Sequence, residues 1–305
     1  MRVFITGATG YIGSLVAKSL MAKGHSLKGL ARSNDAKVKL EKRGILPVEG
    51  RLEEPDSFIE IARMSDAIIH LGFNHDYDHW EQASDADFRL VEAFVKALKG
   101  TNKTLLVTSD AGVLGDTGDQ VADETFAIPR NFPLSLRARS EQLVISSAQQ
   151  GVRGIVVRLP IFVYGPEDNG FLTTMIDTAA TEGNVYVINK GIHKVAALHV
   201  DDAVSLFCDA FEKSPSGRLY QGEGDEGHSV LQVAQAISKR MHCPVAEISF
   251  EEASKLWGRA VAYFLSINNQ LSAKRAEQEL GWRPSYKNYF MHWIGEDVPL
   301  PSQRT

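Results

Sequence analysis

Short apolar runs rich in β-branched and aromatic residues alternate with longer stretches of helical periodicity in the first half of the chain. Such runs are typical of buried strands, and apolar residues spaced three or four apart are typical of helices. The predicted strands are residues 2–5, 27–31, 45–48, 67–71, 104–108 and 154–159, and the helices between them include 35–43, 85–99 and 137–149. Strands separated by long helices predict an α/β fold with a doubly wound parallel sheet.

The second half of the chain has a less regular pattern. Helices are predicted at residues 170–181, 201–213 and 230–241, and strands at 185–188, 195–199 and 218–221. Asp201 or Asp202 stands where a side-chain cap of the second of these helices is expected. The order of elements changes after the segment Ser214-Pro215-Ser216-Gly217, which predicts a small lobe that packs on the sheet.

A glycine-rich segment follows the first predicted strand directly. Thr6-Gly7-Ala8-Thr9-Gly10-Tyr11-Ile12-Gly13 spaces its glycines as G-x-x-G-x-x-G and opens a helical stretch. In this context the first glycine permits a tight turn, the second lets a pyrophosphate approach, and the third lets the helix pack on the strand. Free N–H groups at the helix start favour phosphate. We therefore predict dinucleotide binding by Gly7, Thr9, Gly10, Tyr11, Ile12 and Gly13; a structural glycine-rich turn is the alternative.

Composition and charge narrow the classes of function. The chain has 305 residues, 44% hydrophobic and 23% charged, with a net charge of −5. Without a Lys/Arg tract we expect no nucleic-acid partner, and without an apolar run of about 18 residues we expect no membrane segment. Only Cys208 and Cys243 occur, so no disulfide framework is expected. No cluster has metal-ligand spacing, and we expect a cytoplasmic protein without a metal.

Several motifs in this order resemble the extended short-chain dehydrogenase/reductase superfamily, which includes the NAD-dependent epimerases and dehydratases. They are Thr6 to Gly13, the strand end at Ala67–Gly72, Thr108-Ser109, Arg158-Leu159-Pro160 leading to Tyr164-Gly165-Pro166, His199-Val200-Asp201-Asp202, and Leu280-Gly281-Trp282-Arg283-Pro284. The resemblance implies a Rossmann domain of residues 1–165 and 195–213, a substrate-binding lobe of residues 166–194 and 214–295, and a tail from 296 to 305. It also implies cofactor contacts at Leu52, Leu71, Gly72, Thr108, Arg137 and Pro160.

The end of the second predicted strand bears on the choice of dinucleotide. Enzymes that prefer NAD usually carry an acid there to bind the ribose 2′-hydroxyl, whereas this chain has Arg32 and Ser33. A guanidinium binds a 2′-phosphate well. Arg51 stands where the superfamily usually has an aspartate near the adenine, and either adds a second cation or faces solvent. We therefore favour NADP(H) as cofactor, with NAD(H) as the alternative.

The usual Tyr-x-x-x-Lys motif is absent by this alignment. The superfamily's glutamate, four residues after the lysine, matches Glu141, which places Arg137 at the lysine position and Pro133 at the tyrosine position. The serine position falls on Asp110, or on Ser109 after a shift of one residue. Proline cannot donate a proton and arginine does not deprotonate. The chain therefore resembles an atypical branch that keeps the cofactor scaffold without the usual catalytic triad.

Other residues are candidates for the acid–base chemistry. His75 and Tyr77 follow the fourth predicted strand, and ligands of this fold bind beyond the carboxyl ends of the strands. Asp110 follows the fifth strand as a candidate base, or as a brace of the next loop. Tyr164 lies in a segment that lines the substrate pocket in the superfamily, although a structural role is favoured. For His75 and Tyr77 a polar surface loop is an equal alternative.

These observations favour an NADP(H)-dependent oxidoreductase that reduces or oxidises a small organic carbonyl-type substrate. Hydride chemistry belongs largely to the cofactor, so loss of the tyrosine does not exclude reduction. Two alternatives stay open: a non-redox isomerase, dehydratase or cyclase on the same scaffold, and a non-catalytic NADP-binding redox sensor. The expected partner is a small-molecule substrate, and the resemblance also points to a homodimer.

Overall fold

The computed structural model describes residues 1–76, 79–129 and 133–303 and has a mixed α/β architecture. The strands are β1 (Arg2–Thr6), β2 (Ser26–Ala31), β3 (Leu46–Glu49), β4 (Ala67–His70), β5 (Thr104–Asp110), β6 (Val121–Ala122), β7 (Arg153–Leu159), β8 (Phe162–Tyr164), β9 (Val185–Val187), β10 (Lys194–His199), β11 (Arg218–Gln221), β12 (Asp225–Ser229), β13 (Val245–Glu247) and β14 (Gln270–Leu271). The helices are α1 (Tyr11–Ala22), α2 (Asn34–Lys42), α3 (Ile59–Arg63), α4 (Trp80–Leu98), α5 (Ala138–Ser146), α6 (Phe171–Glu182), α7 (Val200–Lys213), α8 (Val230–Met241), α9 (Phe250–Trp257), α10 (Arg259–Phe264), α11 (Lys274–Leu280) and α12 (Phe290–His292).

A seven-stranded parallel sheet forms the centre of the molecule, in the order β11-β7-β5-β4-β1-β2-β3. Alternate residues of a strand point to opposite faces. Val3 and Ile5 therefore pack in the cluster that contains residues of α1 and α7, while Phe4 packs on the other face with Phe58 and Phe94. Because both faces are covered by helices, the predicted doubly wound α/β fold is confirmed.

A second, smaller sheet lies beside the central one and consists of β12-β10-β8. Its strands contribute to an apolar cluster with α6, α8 and α10, which is the core of the C-terminal lobe. Two details differ from the predicted boundaries. The segment 218–221, expected in the lobe, pairs with β7 as an edge strand of the central sheet, and the segment 195–199, expected in the Rossmann domain, lies in the smaller sheet.

Three local predictions also differ from the structure. Helix α4 begins at Trp80 instead of residue 85. Trp80, Ala83 and Ser84 are buried, so the face of the helix that packs on the protein extends one turn further than the mostly polar sequence indicated. A 3₁₀ turn over Pro133–Arg137 precedes α5, as is common at helix starts. The side-chain cap of α7 is His199, which accepts from the N–H of Asp201. The predicted cap Asp202 instead accepts from the N–H groups of Ser285 and Tyr286.

Candidate active site and cofactor cleft

The turn between β1 and α1 is closely packed backbone. Gly7 has φ of +76°, and a Cβ there would lie 2.6 Å from the Gly72 nitrogen at the end of β4. A Cβ on Gly13 would lie 2.2 Å from the Gly7 carbonyl oxygen. Gly7 therefore permits the positive φ and the approach to β4, and Gly13 lets α1 sit directly on the turn.

The start of α1 suits a phosphate. Gly10 is its N-cap and supplies no side chain, and the first turn carries no acidic residue. The N–H groups at a helix start need acceptors, and the positive end of the helix dipole lies there. A Cβ on exposed Gly10 would meet only the Gly7 oxygen at 3.3 Å. This turn, with Thr9, Tyr11 and Ile12 around it, fits the pyrophosphate of a dinucleotide.

Cationic and hydroxyl groups follow β2 and β3 at the carboxyl edge of the central sheet. Arg32 is exposed immediately after β2, and Ser33 caps α2 by accepting from the N–H of Ala36. Arg51 is also exposed and lies 4.0 Å from the Glu53 carboxylate. Arg43, which the sequence analysis did not single out, donates to the Ala8 carbonyl oxygen at 2.8 Å. A basic residue near the end of a helix is too common a pattern to have revealed that contact.

The remaining predicted cofactor positions line the carboxyl edge of the sheet. Leu71 and Gly72 follow β4, and a Cβ on Gly72 would lie 3.4 Å from the Leu52 side chain. Thr108 lies near the carboxyl end of β5, and Pro160 follows β7. Because carboxyl ends of parallel strands meet at one edge, these residues lie around the same crevice as the glycine turn.

A buried hydrogen-bonded chain connects the glycine turn to α4 and α5. Thr6 Oγ1 accepts from the N–H of Gly72 at 3.0 Å and lies 2.7 Å from His70 Nδ1. His70 Nε2 lies 3.2 Å from Asp87 Oδ1, and Ser140 donates to Asp87 Oδ2 at 2.6 Å. Since a carboxylate only accepts, the Nε2 atom of His70 carries a proton and donates it to Asp87. Burial opposes ionisation of Asp87, yet the bond from His70 and other favourable contacts lower the pKa of its carboxyl.

Arg137 and Asp110, which the alignment matched to the superfamily's lysine and serine, form an ion pair with each other. Arg137 is buried, and it donates one short hydrogen bond to Asp110 Oδ2 and another, of 3.1 Å, to the Thr108 carbonyl oxygen. Asp110 Oδ1 accepts from the N–H of Gly112 at 2.9 Å. The ring centroid of Phe73 lies 3.9 Å from the Arg137 Cζ. The guanidinium that was expected to contact the cofactor is thus already bonded to protein acceptors and stacked on an aromatic face.

Two other predicted catalytic residues lie inside the protein. Ser109 lies in β5, and its buried hydroxyl has no hydrogen-bond partner among the described residues. Tyr164 is fully buried and donates to Asp225 Oδ2 at 3.1 Å. Burial and the negative charge of Asp225 raise the pKa of the Tyr164 hydroxyl. Both surroundings match structural roles better than proton transfer to a substrate.

Among the catalytic candidates that the structure describes, His75 lies near the ion pair and is exposed to solvent. Its ring centroid is 5.2 Å from that of Phe73, whose ring also stacks on the Arg137 guanidinium. The surrounding protein lowers the pKa of His75, the Arg137 charge lowers it further, and Asp110 opposes the shift. Tyr77, the other candidate of this loop, lies outside the described residues.

The fold and cleft define a class of dinucleotide-binding α/β proteins, and comparison with known proteins identifies the family. Residues 3–221 match the NAD dependent epimerase/dehydratase family. The chain is 35% identical over 286 residues to an uncharacterized protein of Schizosaccharomyces pombe, covering 94% of this chain and 96% of the relative. It is 27% identical over 319 residues to the 4-hydroxy-2-methyl-3-oxo-4-farnesyl-3,4-dihydroquinoline-1-oxide ketoreductase of Stigmatella aurantiaca, covering 92% of both. The chain therefore belongs to the NAD dependent epimerase/dehydratase family.

A solved structure gives the same architecture. The dTDP-glucose 4,6-dehydratase DesIV of Streptomyces venezuelae, solved with NAD bound, matches with a TM-score of 0.79 over 100% of both chains at 16% identity. Family and neighbours are NAD(P)-dependent oxidoreductases, epimerases and dehydratases, so the predicted fold and enzyme class are confirmed. In the part of the chain that the structure describes, no helix is both long and apolar enough to cross a membrane.

We predict strong energetic coupling between Arg137 and Asp110. Asp110→Asn leaves a buried guanidinium without its counter-charge, and we expect it to lower the free energy of unfolding by about 2–4 kcal/mol. The double variant Asp110→Asn/Arg137→Met should lose less than the sum of the single variants, with a coupling energy of about 1–3 kcal/mol. Urea denaturation of the four proteins measures this cycle.

The chain offers a matched control two residues further along. Arg139 donates to Asp85 at 2.9 Å and stacks on Phe88 at 4.3 Å, yet both charged side chains are about half exposed. The same cycle at this pair should give a coupling energy of about 0.5 kcal/mol, because water screens exposed pairs. Equal coupling at both sites would contradict the assignment of Arg137–Asp110 as the dominant pair.

We also predict that Asp87 makes the stability of the protein depend on pH. The pKa of Asp87 is lower in the folded chain than in the unfolded one, where it is about 3.9. Its contribution is therefore present above about pH 4 and is lost as pH falls through the folded-state pKa. Asp87→Asn should lower the free energy of unfolding by about 1–3 kcal/mol at pH 7 and by less below pH 4.

Urea denaturation between pH 7 and pH 3 measures the difference between Asp87→Asn and the wild-type chain. Asp85→Asn is the control, because Asp85 lies on the same helix with an exposed side chain. That control should follow the wild-type curve within about 0.5 kcal/mol at every pH. A constant gap between wild type and Asp87→Asn across the whole range would disprove the ionic contribution.

Proposed function

We propose that the protein is an NADP(H)-dependent reductase of a small organic carbonyl-type substrate. The observation that carries this proposal is the ion pair of Arg137 with Asp110 at the positions that the resemblance gives to lysine and serine. Epimerisation and dehydration need protein groups that remove and return protons. Arg137 cannot deprotonate, and Asp110 already accepts from Arg137 and the Gly112 N–H. Reduction makes a smaller demand on the protein, since it needs one proton at the carbonyl oxygen.

The cofactor seat supports NADP(H) over NAD(H). Arg32 stands at the end of β2 without an acid beside it, and exposed Arg51 adds a second cation near the same edge. The Ser33 oxygen accepts from the Ala36 N–H, so its own proton is available for a phosphate oxygen. When bound, the reduced cofactor supplies a hydride. The glycine turn from Gly7 to Gly13 would hold its pyrophosphate, and Thr108, Arg137 and Pro160 would border the nicotinamide.

His75 is the proton donor that we propose. It lies on the carboxyl side of β4 next to Phe73, reaches solvent, and is close enough to Arg137 and Asp110 for both charges to affect its pKa. The carbonyl carbon would gain the hydride that the reduced cofactor gives up on becoming oxidised, and the His75 imidazolium would protonate the carbonyl oxygen to give the alcohol. Solvent would then return a proton to His75.

The reaction and its proton donor are tested together. The protein should oxidise NADPH, measured by absorbance at 340 nm, in the presence of a ketone or aldehyde, and should form the alcohol in equal amount. His75→Gln should lower kcat about 100-fold. In the wild type kcat should fall as pH rises, because the donor must be protonated and its pKa lies below the ordinary value of 6.5. The variant should lose that dependence.

His79→Gln is the matched control. His79 lies in the same segment, is exposed, and pairs with Asp76 at 3.0 Å. Its kcat should stay within about twofold of the wild type. Unchanged kcat in His75→Gln would remove His75 from the mechanism. Tight NADP binding without any turnover would favour the redox sensor, and conversion of a substrate without net NADPH oxidation would favour the isomerase, dehydratase or cyclase.

The cofactor preference has its own test. Arg32→Ala should raise the dissociation constant of NADPH about 10- to 100-fold, because a charge-assisted contact with phosphate contributes about 1.5–3 kcal/mol. The dissociation constant of NADH should change less than threefold. Titration of intrinsic fluorescence measures both values. Arg63→Ala is the control, since Arg63 is exposed at the opposite edge of the sheet and pairs with Glu60. Equal losses for NADPH and NADH would overturn the assignment of Arg32 to the 2′-phosphate.

A further inference from the structure

Two pairs of aromatic side chains, one at β4 and α4 and one on α6 and α10, pack near the ion pair. Phe73 follows β4, and its ring centroid lies 5.2 Å from that of Trp80 at the start of α4. Phe264 of α10 and Phe171 of α6 have ring centroids 5.3 Å apart. All four belong to one apolar cluster, with Trp80 and Phe264 buried and Phe73 and Phe171 partly exposed. We call these four side chains the aromatic wall.

The aromatic wall reaches both ends of the Arg137–Asp110 pair. Phe73 covers the Arg137 guanidinium at 3.9 Å from its ring centroid. Phe264 packs on the turn that follows Asp110, since a Cβ on Gly112 would lie 2.4 Å from Phe264 Cε1. The lobe therefore delivers an aromatic ring to the same turn whose N–H fixes the Asp110 carboxylate. A substrate beside this pair would contact rings from both the central sheet and the lobe.

The charges around the wall do not favour an anionic substrate. Asp110 balances the charge of Arg137 within hydrogen-bonding distance. The Arg137 guanidinium already donates to Asp110 and to the Thr108 carbonyl oxygen, so it offers an anionic substrate group no uncompensated charge.

We propose that the substrate of the reductase is an uncharged aryl ketone or aryl aldehyde, whose ring stacks on Phe73 and Phe171. This inference rests on the reductase proposed above and deepens it. Aromatic rings prefer offset or edge-on contacts with other rings, and a flat apolar body loses no hydrogen bonds when it leaves water. A sugar would have to bury hydroxyl groups against the same rings without partners. The neutral ion pair beside the rings offers polar atoms to the single carbonyl group.

The experiment measures binding and turnover separately on the full chain. The probes are 4-phenylbutan-2-one, butan-2-one and UDP-glucose, each titrated by calorimetry into protein saturated with NADP⁺ and each assayed for NADPH oxidation. We expect the aryl ketone to bind and to be reduced with a KM at least tenfold below that of butan-2-one. We expect UDP-glucose to show no binding.

Variants then locate the binding surface. Phe171→Ala should raise the KM and the dissociation constant of the aryl ketone about tenfold, and change those of butan-2-one less than twofold. Phe73→Leu keeps an apolar cover on Arg137 and should raise the same constants about fivefold. Phe88→Ala is the matched control, because Phe88 is a partly exposed ring that stacks on Arg139 outside the cleft. It should leave every constant unchanged.

The two proposals fail in different ways. Binding of the aryl ketone that Phe171→Ala weakens, without any NADPH oxidation, would overturn the reductase and support the aromatic substrate site. NADPH oxidation that is equally efficient with butan-2-one, or binding of UDP-glucose as tight as that of the aryl ketone, would overturn the substrate class alone. Absence of aryl ketone binding would also overturn it. Equal changes in these constants for Phe88→Ala and Phe171→Ala would show that the aromatic wall does not bind the aryl ketone.

Discussion

Backbone contact between the turn after β1 and the end of β4 is the constraint on which the cleft depends. Any side chain at Gly7 would meet the Gly72 nitrogen and the Leu71 carbonyl group at less than 3 Å. A side chain at Gly13 would likewise collide with the Gly7 carbonyl group, so α1 can approach the turn only because residue 13 is glycine. Because these approaches are possible, the helix start faces the crevice beyond the strand ends with its N–H groups uncapped by a side chain. The geometry that we propose for phosphate binding therefore depends on the absence of side chains at Gly7 and Gly13 as much as on any contact.

The contact between the glycine turn and the end of β4 continues, through a chain of buried hydrogen bonds, to helices α4 and α5. Thr6 bridges Gly72 and His70, and Asp87 joins His70 to Ser140 on α5. Ser140 stands three residues after Arg137, which is close to one helical turn. The chain of hydrogen bonds thus sets the rotation of α5 relative to the glycine turn, and with it the direction of the guanidinium. A buried network with every member bonded is rigid, which suits a frame between cofactor and substrate.

The sequence predicted those features that depend on local pattern. The alternation of apolar runs and helical stretches gave the parallel sheet, and the glycine spacing marked the turn. Pairings between distant segments were not predictable in this way. The strand 218–221 carries the same pattern whether it joins the central sheet or the lobe, and only its register with β7 decides. Asp201 or Asp202 was expected to cap α7, but the imidazole of His199 accepts the capping hydrogen bond. The Asp202 carboxylate accepts instead from the N–H groups of Ser285 and Tyr286, which are distant in sequence.

The pairing of Arg137 with Asp110 was hidden for the same reason, since 27 residues separate the two side chains along the sequence. The alignment matches the two residues to the superfamily's lysine and serine, and their opposite charges compensate each other. A paired, permanently charged guanidinium can orient a polar group but cannot exchange its proton at neutral pH. In the proposed reductase, proton transfer therefore involves another group, and His75 combines proximity to the pair with access to solvent.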